Sequence, residues 1–464
     1  MNRQQPSPIG NHAIVIGGSI AGLMTARVLS DHFARVTLVE RDPLHDQPEA
    51  RKGQPQARHV HGLLAKGLAV MSEYFPDLPE GLCEAGAYLG DIGQQLRWYS
   101  RGGYRVQFQS GLMGALMSRP LLEWQIRRRV LALPNVTVCD GAAVEGLLAT
   151  ADHSRIQGVQ ICRRGANHQP TSLLAELVVD ACGRGSATPK WLAALGYGQP
   201  PESEVKAEVA YATRIFRRRP GDLPGAAVVL IDPGAPSYRR GGALFAAEGE
   251  RWICSLAARG GEAAPASAEE FVEFARTLAA PDIYQVIRQA EPLSDICYYH
   301  FSANRRRHYE QMARWPGGLL VLGDAVCSFN PIYGQGMTSA VLQAQALDRL
   351  LATQGLTDAL AFAFFRQVAR VIETPWQLAI AEDRNLSKQQ QGARRGKSLL
   401  SRYLAQFYST LHHDPVVYGE FLRVINLMQP PATLFHPRVL WRVARHALSG
   451  QHSPVSRRLL TAHR

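Results

Sequence analysis

The stretch from Ala13 to Glu40 constrains this chain more than any other. Ala13-Ile14-Val15-Ile16 is a short apolar run of buried-strand type, and it meets Gly17-Gly18-Ser19-Ile20-Ala21-Gly22 without a break. Leu23 to Leu29 then reads as a helix, and Val36-Thr37-Leu38-Val39 as a second strand that delivers Glu40. Strand, glycine turn, helix, strand and acid in that order make a dinucleotide site. The glycines let backbone approach a pyrophosphate at the helix N-terminus, and an acid about 20 residues on accepts the ribose hydroxyls. An acid there favours an unphosphorylated ribose. Ser19 departs from G-x-G-x-x-G at the middle glycine, where a small side chain either fits beside the phosphate or donates to it. Gly17, Gly18, Ser19, Ile20, Ala21, Gly22, Glu40 and Arg41 are the first cofactor-binding candidates.

Two later runs end in the same way. Leu173 to Val179 reads as a strand that closes in Asp180-Ala181-Cys182-Gly183, and Gly318 to Leu322 as one that closes in Gly323-Asp324. From Asp324 a loop passes Pro331 and Gly334-Gln335-Gly336 into an Ala/Leu-rich helix starting near Met337. Taken alone, this last stretch is either a Gly-rich turn or an open helix N-terminus, whose amides suit phosphate or the electron-rich pyrimidine edge of a reduced flavin. Ligands of open α/β sheets bind at the carboxyl ends of strands. With the upstream fingerprint, Asp180, Gly183, Gly323, Asp324, Pro331, Gly334, Gln335, Gly336 and Met337 therefore join the candidates, and the reading becomes flavin chemistry.

Arg51 to Gly62 carries too many polar groups for a core without partners. It is either a solvated basic loop or a wall in which Gln56, His59 and His61 line the isoalloxazine or its phosphates. Ser118-Arg119-Pro120 resembles a helix N-cap with proline in the first turn. A cation at Arg119 opposes the helix dipole, so it sits either at the surface or against a cofactor phosphate. Val144, in an expected strand from Ala143 to Leu148, completes the set. His59, His61 and Pro331 are the candidates beside the reacting ring; no side chain is singled out as a catalytic base.

The segments imply an α/β fold, a Rossmann-like FAD-binding domain with an inserted antiparallel β-sheet substrate domain and C-terminal helices. Residues 1–90, 110–195 and 303–355 form the discontinuous cofactor domain, 91–109 and 196–302 the substrate domain, and 356–464 the helical region. The second of these opens with a hairpin, Gln94 to Tyr99 and Tyr104 to Phe108, turning at Gly102-Gly103. Trp376, Tyr403, Phe407, Phe421 and Trp441 are expected in the core, and Arg394-Arg395-Gly396-Lys397 is either a solvated loop or a contact for a membrane or acidic partner.

With 464 residues, 46% hydrophobic and 19% charged, the chain has material for a large core, and disorder is excluded as its class. Seven cysteines without a Cys-x-x-Cys pair point to neither a disulfide framework nor a zinc site, and no metal is expected. No spanning segment or secretory signal is visible, so a soluble, cytoplasmic protein is expected. The net charge of +12 comes from dispersed arginines without a nucleic-acid motif, which suits an anionic cofactor, substrate or carrier better than nucleic acid.

Gly17 to Gly22 with Glu40, Asp180-Ala181-Cys182-Gly183, and Gly323-Asp324 with Pro331 and Gly334-Gln335-Gly336 together resemble the aromatic-hydroxylase-like (group A) flavoprotein monooxygenases. Gln56 to Gly62, Arg305 to Glu310 and Ser328-Phe329-Asn330-Pro331 look most like the bacterial epoxidases that act on polyene precursors of polyethers. The resemblance implies FAD, an electron supply from NAD(P)H or a partner flavin reductase, and O2. It also implies transfer of one oxygen through a flavin C4a-hydroperoxide to a bulky, largely apolar small-molecule or carrier-bound substrate in secondary metabolism. Cys327 stands where many hydroxylases of the family carry histidine, so proton-transfer detail from phenol hydroxylases does not transfer. Three other readings share the cofactor fold: an alkene reductase of the geranylgeranyl reductase type, a flavin halogenase, whose Trp-x-Trp-x-Ile-Pro stretch is missing here, and a non-enzymatic sensor.

Overall fold

The computed structural model describes residues 7–163, 169–233, 239–390 and 399–449. Its organising layer is a five-stranded parallel sheet, in which Leu319–Val321, Leu177–Asp180, Gly10–Ile16, Phe33–Val39 and Val136–Cys139 lie side by side in that order. The first strand in the chain sits centrally, with the second and third to one side and the fourth and fifth to the other. This is the nucleotide-binding strand order. The strands are apolar because both faces are covered: Ala13, Ile14, Val15, Val36, Leu38, Val178, Val179, Leu319 and Val321 are buried. Helices Ile20–Ser30, Arg119–Leu131 and Gly336–Gln354 pack together over one face, and the antiparallel strands Ala142–Ala149 and Ile156–Arg163 lie against the other. Register places Ile16 beside Val39 on one side and Asp180 on the other, with Val321 next to Asp180, so four carboxyl ends share one edge.

A second, eight-stranded mixed sheet stands over that edge. Its spine is the long strand Glu202–Arg217 between Cys297–Arg307 and Arg251–Arg259, and Leu96–Ser100 with Gly103–Tyr104 closes its far side. Period-2 alternation divides its faces. Ala212, Cys254, Leu256 and Ala258 pack under helices Ala268–Arg276 and Asp282–Ile287. Val209, Tyr211, Ala257 and Phe301 form a separate cluster on the opposite face, toward the parallel sheet.

Several expected elements differ in detail. The expected hairpin is present but short: Tyr99 pairs Tyr104 and Ser100 pairs Gly103, while Gln94 and Gln95 lie in a helical turn, Ile92–Gln95, capped by Asp91. The run Leu173 to Val179 is not one strand. Thr171–Leu174 belongs to a three-stranded antiparallel sheet with Ile156–Arg163, and Leu177–Asp180 to the parallel sheet. Glu176, at the break, accepts from the amide and side chain of Asn11 at 2.9 and 2.8 Å, which turns the chain between sheets.

The C-terminal helices divide between two cores. Phe364, Phe365, Ile372 and Trp376 of Leu360–Gln390 join the core of the parallel sheet. Phe407, Tyr418, Phe421 and Leu422 pack with Trp98, Val106 and Phe108 of the hairpin segment. Trp441 was expected inside and is 58% exposed, because helix Pro437–Leu448 seats only Val439 and Val443. Residues 394–397 lie outside the described residues.

Candidate active site

The glycine turn is fixed by contacts that admit no side chain. Gly17 has φ +104°, and a Cβ there would lie 2.7 Å from the carbonyl oxygen of Ala181. A Cβ on Gly22 would lie 1.7 Å from the carbonyl oxygen of Gly17, so this glycine serves helix–strand packing. Ser19 occupies the N-cap in extended conformation but makes no capping hydrogen bond, which leaves the first amides of Ile20–Ser30 uncapped. Its hydroxyl instead donates to Glu123 at 2.9 Å and accepts from Arg119 Nη2 at 2.9 Å.

Behind the turn lies a buried charge network. Glu40 Oε2 accepts from the amide of Gly18 at 2.6 Å and pairs with Arg51 at 3.1 Å, while Oε1 accepts from the amide of Asp42 at 3.0 Å. Arg51 continues to Glu123 and donates to the Gly18 carbonyl at 3.0 Å. Gln54 donates to Glu123 at 2.8 Å. Arg119, the first residue of its helix, completes the ring of charges as the Glu123 partner at 3.7 Å. Arg51, Gln54 and Glu123 were not among the sequence candidates; the polar density of residues 51–62 was a signal for the first two, and nothing in the sequence pattern marked Glu123.

The remaining cofactor candidates take different positions. Asp180 is fully buried, and its carboxylate is engaged by the Cys182 amide at 2.8 Å, the Thr188 hydroxyl at 2.6 Å and the Ser186 hydroxyl. It organises its loop from within and presents no oxygen to the cleft, contrary to expectation. Ile20 and Met337 likewise point into the core, so only their backbone can face a ligand. Arg41 is exposed and bonds the Gly53 carbonyl at 3.4 Å, and Gln56 is half-buried on the turn Pro55–Arg58. Val144 lies on Ala142–Ala149, whose first amide donates to the Glu40 carbonyl at 3.0 Å.

Asp324 is solvent-accessible yet deep among protein atoms; that burial holds its carboxyl above the usual range against the opposing pull of Arg119 and Arg184. The Gly323 amide before it donates to Gln343 at 2.8 Å. Gly323, Gly183 and Gly334 all adopt positive φ, at +70°, +74° and +63°. Gly334 is the C-cap of Pro331–Tyr333, and a Cβ there would meet nothing nearer than the Gly62 carbonyl oxygen at 3.8 Å, so conformation rather than space selects glycine. Gln335 is buried and Gly336 opens the helix Gly336–Gln354.

Roof and loops meet through several hydrogen bonds. His59 Nδ1 bonds the Thr213 hydroxyl at 2.7 Å, and Thr213 bonds Ser255 at 2.5 Å, whose oxygen accepts from the Val60 amide at 3.2 Å. Tyr211 donates to Asn330 Oδ1 at 2.6 Å. Arg184 donates to the Ala303 carbonyl at 2.7 Å and lies over the Phe301 ring at 5.3 Å. Burial, assisted by Arg58, pushes His59 down to about 4; burial and then Arg119 push His61 down to about 3. Both imidazoles are therefore neutral at pH 7. Tyr211 and Tyr299 flank the His59 ring at 6.4 and 5.5 Å. Beneath Asn330 runs a second network absent from the sequence reading. Asn304 Oδ1 accepts the Asn330 amide at 2.7 Å, Asn304 Nδ2 donates to Asp383 at 2.6 Å, and Arg259 pairs with Asp383 at 3.5 Å.

This arrangement has solved counterparts. p-Nitrophenol 4-monooxygenase PnpA from Pseudomonas putida superposes with a TM-score of 0.63 at 16% identity, over 90% of this chain and 98% of that one. The flavin-dependent brominase Bmp2 gives 0.61 at 13%, over 95% and 100%. PqsL, a probable FAD-dependent monooxygenase from Pseudomonas aeruginosa, gives 0.59 at 17%, over 89% and 100%. The architecture is thus the Rossmann-like fold of FAD-binding monooxygenase structures. No family model matches the chain. In sequence it is 32% identical over 459 residues to Protein Rv3254 of Mycobacterium tuberculosis, covering 95% of each, and it belongs to that protein's family.

Proposed function

We propose that this protein is an FAD-dependent monooxygenase that transfers one oxygen atom from O2 to a bulky, largely apolar substrate, giving an epoxide or an alcohol. The observation that carries the reading is the meeting of the fingerprint turn, the Asp324–Gly336 loop and the His59 loop under one apolar and aromatic sheet face.

The chain's residues fit FAD. Uncapped amides at Ile20–Ser30 and the buried guanidinium groups of Arg51 and Arg119, each with an Nε lacking a hydrogen-bond acceptor, suit a diphosphate. Glu40, whose carboxylate is shared with the Gly18 and Asp42 amides and Arg51, would accept the ribose hydroxyls, and Gly323, Asp324 and the amides around Gln335 and Gly336 would border the flavin. Reduced FAD, supplied with electrons by NAD(P)H or a partner reductase, provides the activation of O2. The chain's own part is positioning and exclusion of water. Tyr211 and Asn330 hold the loop against the roof, while Tyr299 and Phe301 give the substrate side an apolar wall. His59 and His61, neutral at pH 7, lend hydrogen bonds without adding charge. The likeness to PnpA and PqsL supports the class, that to Bmp2 the halogenase alternative, and that to polyene epoxidases the apolar substrate.

Incubation of the reduced, flavin-loaded protein with lipophilic alkenes and phenols under labelled molecular oxygen tests this. One labelled atom in the product is expected. A product gaining two hydrogens would point to the alkene reductase, bromination in the presence of bromide to a halogenase, and label drawn from water would contradict oxygen transfer.

A further inference from the structure

The C-terminal helical layer has a feature that flavin chemistry does not use. Of the sixteen large apolar side chains exposed among the described residues, seven lie between Leu399 and Leu448. Met428, Phe435, Leu440 and Trp441 are 42, 45, 40 and 58% exposed. On helix Pro437–Leu448 the exposed apolar positions are Pro437, Leu440, Trp441, Ala444 and Leu448, spaced three and four apart, with Arg438 and Arg445 exposed beside them. At 3.6 residues per turn they occupy about 100° of the circumference. Val439 and Val443 are buried on the other side, so this stripe is not the face that seats the helix.

The charges beside the stripe are of one sign. Helix Pro437–Leu448 contains no acid. The two acids between Leu399 and Ser449 are already matched, Glu420 by Arg423 at 3.2 Å and Asp414 by Arg442 at 2.8 Å. Arg402, Arg438 and Arg445 remain as surplus cations. Arg438 and Arg445 lie at the margin of the stripe, and Arg445 stacks over Trp441 at 4.7 Å. Among the described residues no helix is long and apolar enough to cross a membrane.

We infer that this layer docks on an anionic lipid surface, with Leu440, Trp441, Ala444 and Leu448 entering the headgroup boundary and Arg438 and Arg445 meeting the anionic headgroups. An outward Trp/Leu stripe with arginine at its margin is the composition of a helix lying in a membrane interface. An acidic protein partner would use the arginines but leave the stripe unexplained, and a second copy of this chain would bring the same surplus cations together. The inference stands independently of the flavin reading. The layer packs on Trp98, Val106 and Phe108 of the segment entering the roof sheet, so a docked bilayer would lie beside the roof's edge strands.

Flotation of the full chain with vesicles tests the inference directly. Phosphatidylcholine vesicles are compared with vesicles containing phosphatidylglycerol in equal part. Binding to the anionic vesicles alone is expected, weakening as salt is raised. Leu440→Ser with Trp441→Ser should lower it about tenfold or more through lost apolar burial. Arg438→Glu with Arg445→Glu should remove the preference for anionic lipid. All four side chains are exposed, so unchanged thermal unfolding shows that the variants fold. Absence of flotation, equal binding to both vesicle types, or variants that float like the wild type would overturn the inference. So would a patch-dependent dimer, or capture by a soluble acidic carrier protein, in place of lipid binding.

Discussion

The hydroxyl of Tyr211 donates to Oδ1 of Asn330 at 2.6 Å, both groups lying in the buried interior. One residue belongs to the longest strand of the roof and the other to the loop that leads into Pro331. The same Asn330 oxygen caps the turn Pro331–Tyr333 through the Ile332 amide at 3.3 Å. A single amide side chain thus sets both the roof's height and the shape of the loop expected to border the flavin.

Asp383 supports that link from the long C-terminal helix, and its loss should be costly. Asp383→Ala would deprive Asn304 of its acceptor and Arg259 of a counter-ion in a buried site. Removing one partner of a buried pair costs about 3–5 kcal/mol. Urea unfolding should show a loss of that size; a loss below about 1 kcal/mol would mean that the network contributes little.

Two glycines at positive φ should behave differently. Gly17→Val meets both a forbidden backbone conformation and the Ala181 carbonyl, so it should abolish FAD retention together with several kcal/mol of stability. Gly334 has open space around it, so Gly334→Asn, which tolerates the left-handed region, should remain folded and active while Gly334→Val loses activity. Retention of full cofactor by Gly17→Val would contradict the first expectation, and equal behaviour of Asn and Val at Gly334 the second.

Glu40→Gln tests the ribose contact without the added cation of an arginine substitution beside Arg51. Loss of a charge-assisted bond should weaken FAD by about 1.5–3 kcal/mol, read by titrating flavin into the apoprotein. Because Glu40 also holds the Gly18 amide, the apoprotein itself should melt earlier. Unchanged affinity would place the ribose elsewhere.

His59 should make stability pH-dependent. Its folded value near 4 lies below the ordinary 6.5, so between these values the unfolded chain binds the extra proton. Stability is then full above pH 6.5 and falls as the pH drops toward 4, by about 3 kcal/mol over the whole window. His61, held near 3, adds a loss of the same sign, so denaturation at pH 7.5 and pH 5 should show both, and His59→Gln should remove only the His59 share. A profile that the variant leaves unchanged would assign the dependence to other groups.

The parallel sheet and the shared carboxyl edge of its strands were legible because each rests on local pattern: Ala13 to Glu40 encodes strand, turn, helix and acid within one continuous segment. The same holds for Arg119, whose Ser118 cap and Pro120 mark a helix start. The buried partners were not legible. Arg51 and Glu123 are 72 positions apart, and Asn304 and Asp383 are 79, and no periodicity announces a pairing over such distances. Asp180 resembled a ligand for the same reason: a strand-end acid looks alike whether it faces a cofactor or its own loop. Trp441 was misplaced because size argues for burial only where a neighbouring element is present to cover it.

Identification of what the purified protein carries tests the central claim most directly. Mass spectrometry of the cofactor released on denaturation, with the absorbance spectrum of the native protein, should show non-covalent FAD in a ratio near one per chain. Release of NADP, or a colourless protein that fails to bind FAD on reconstitution, would contradict the account.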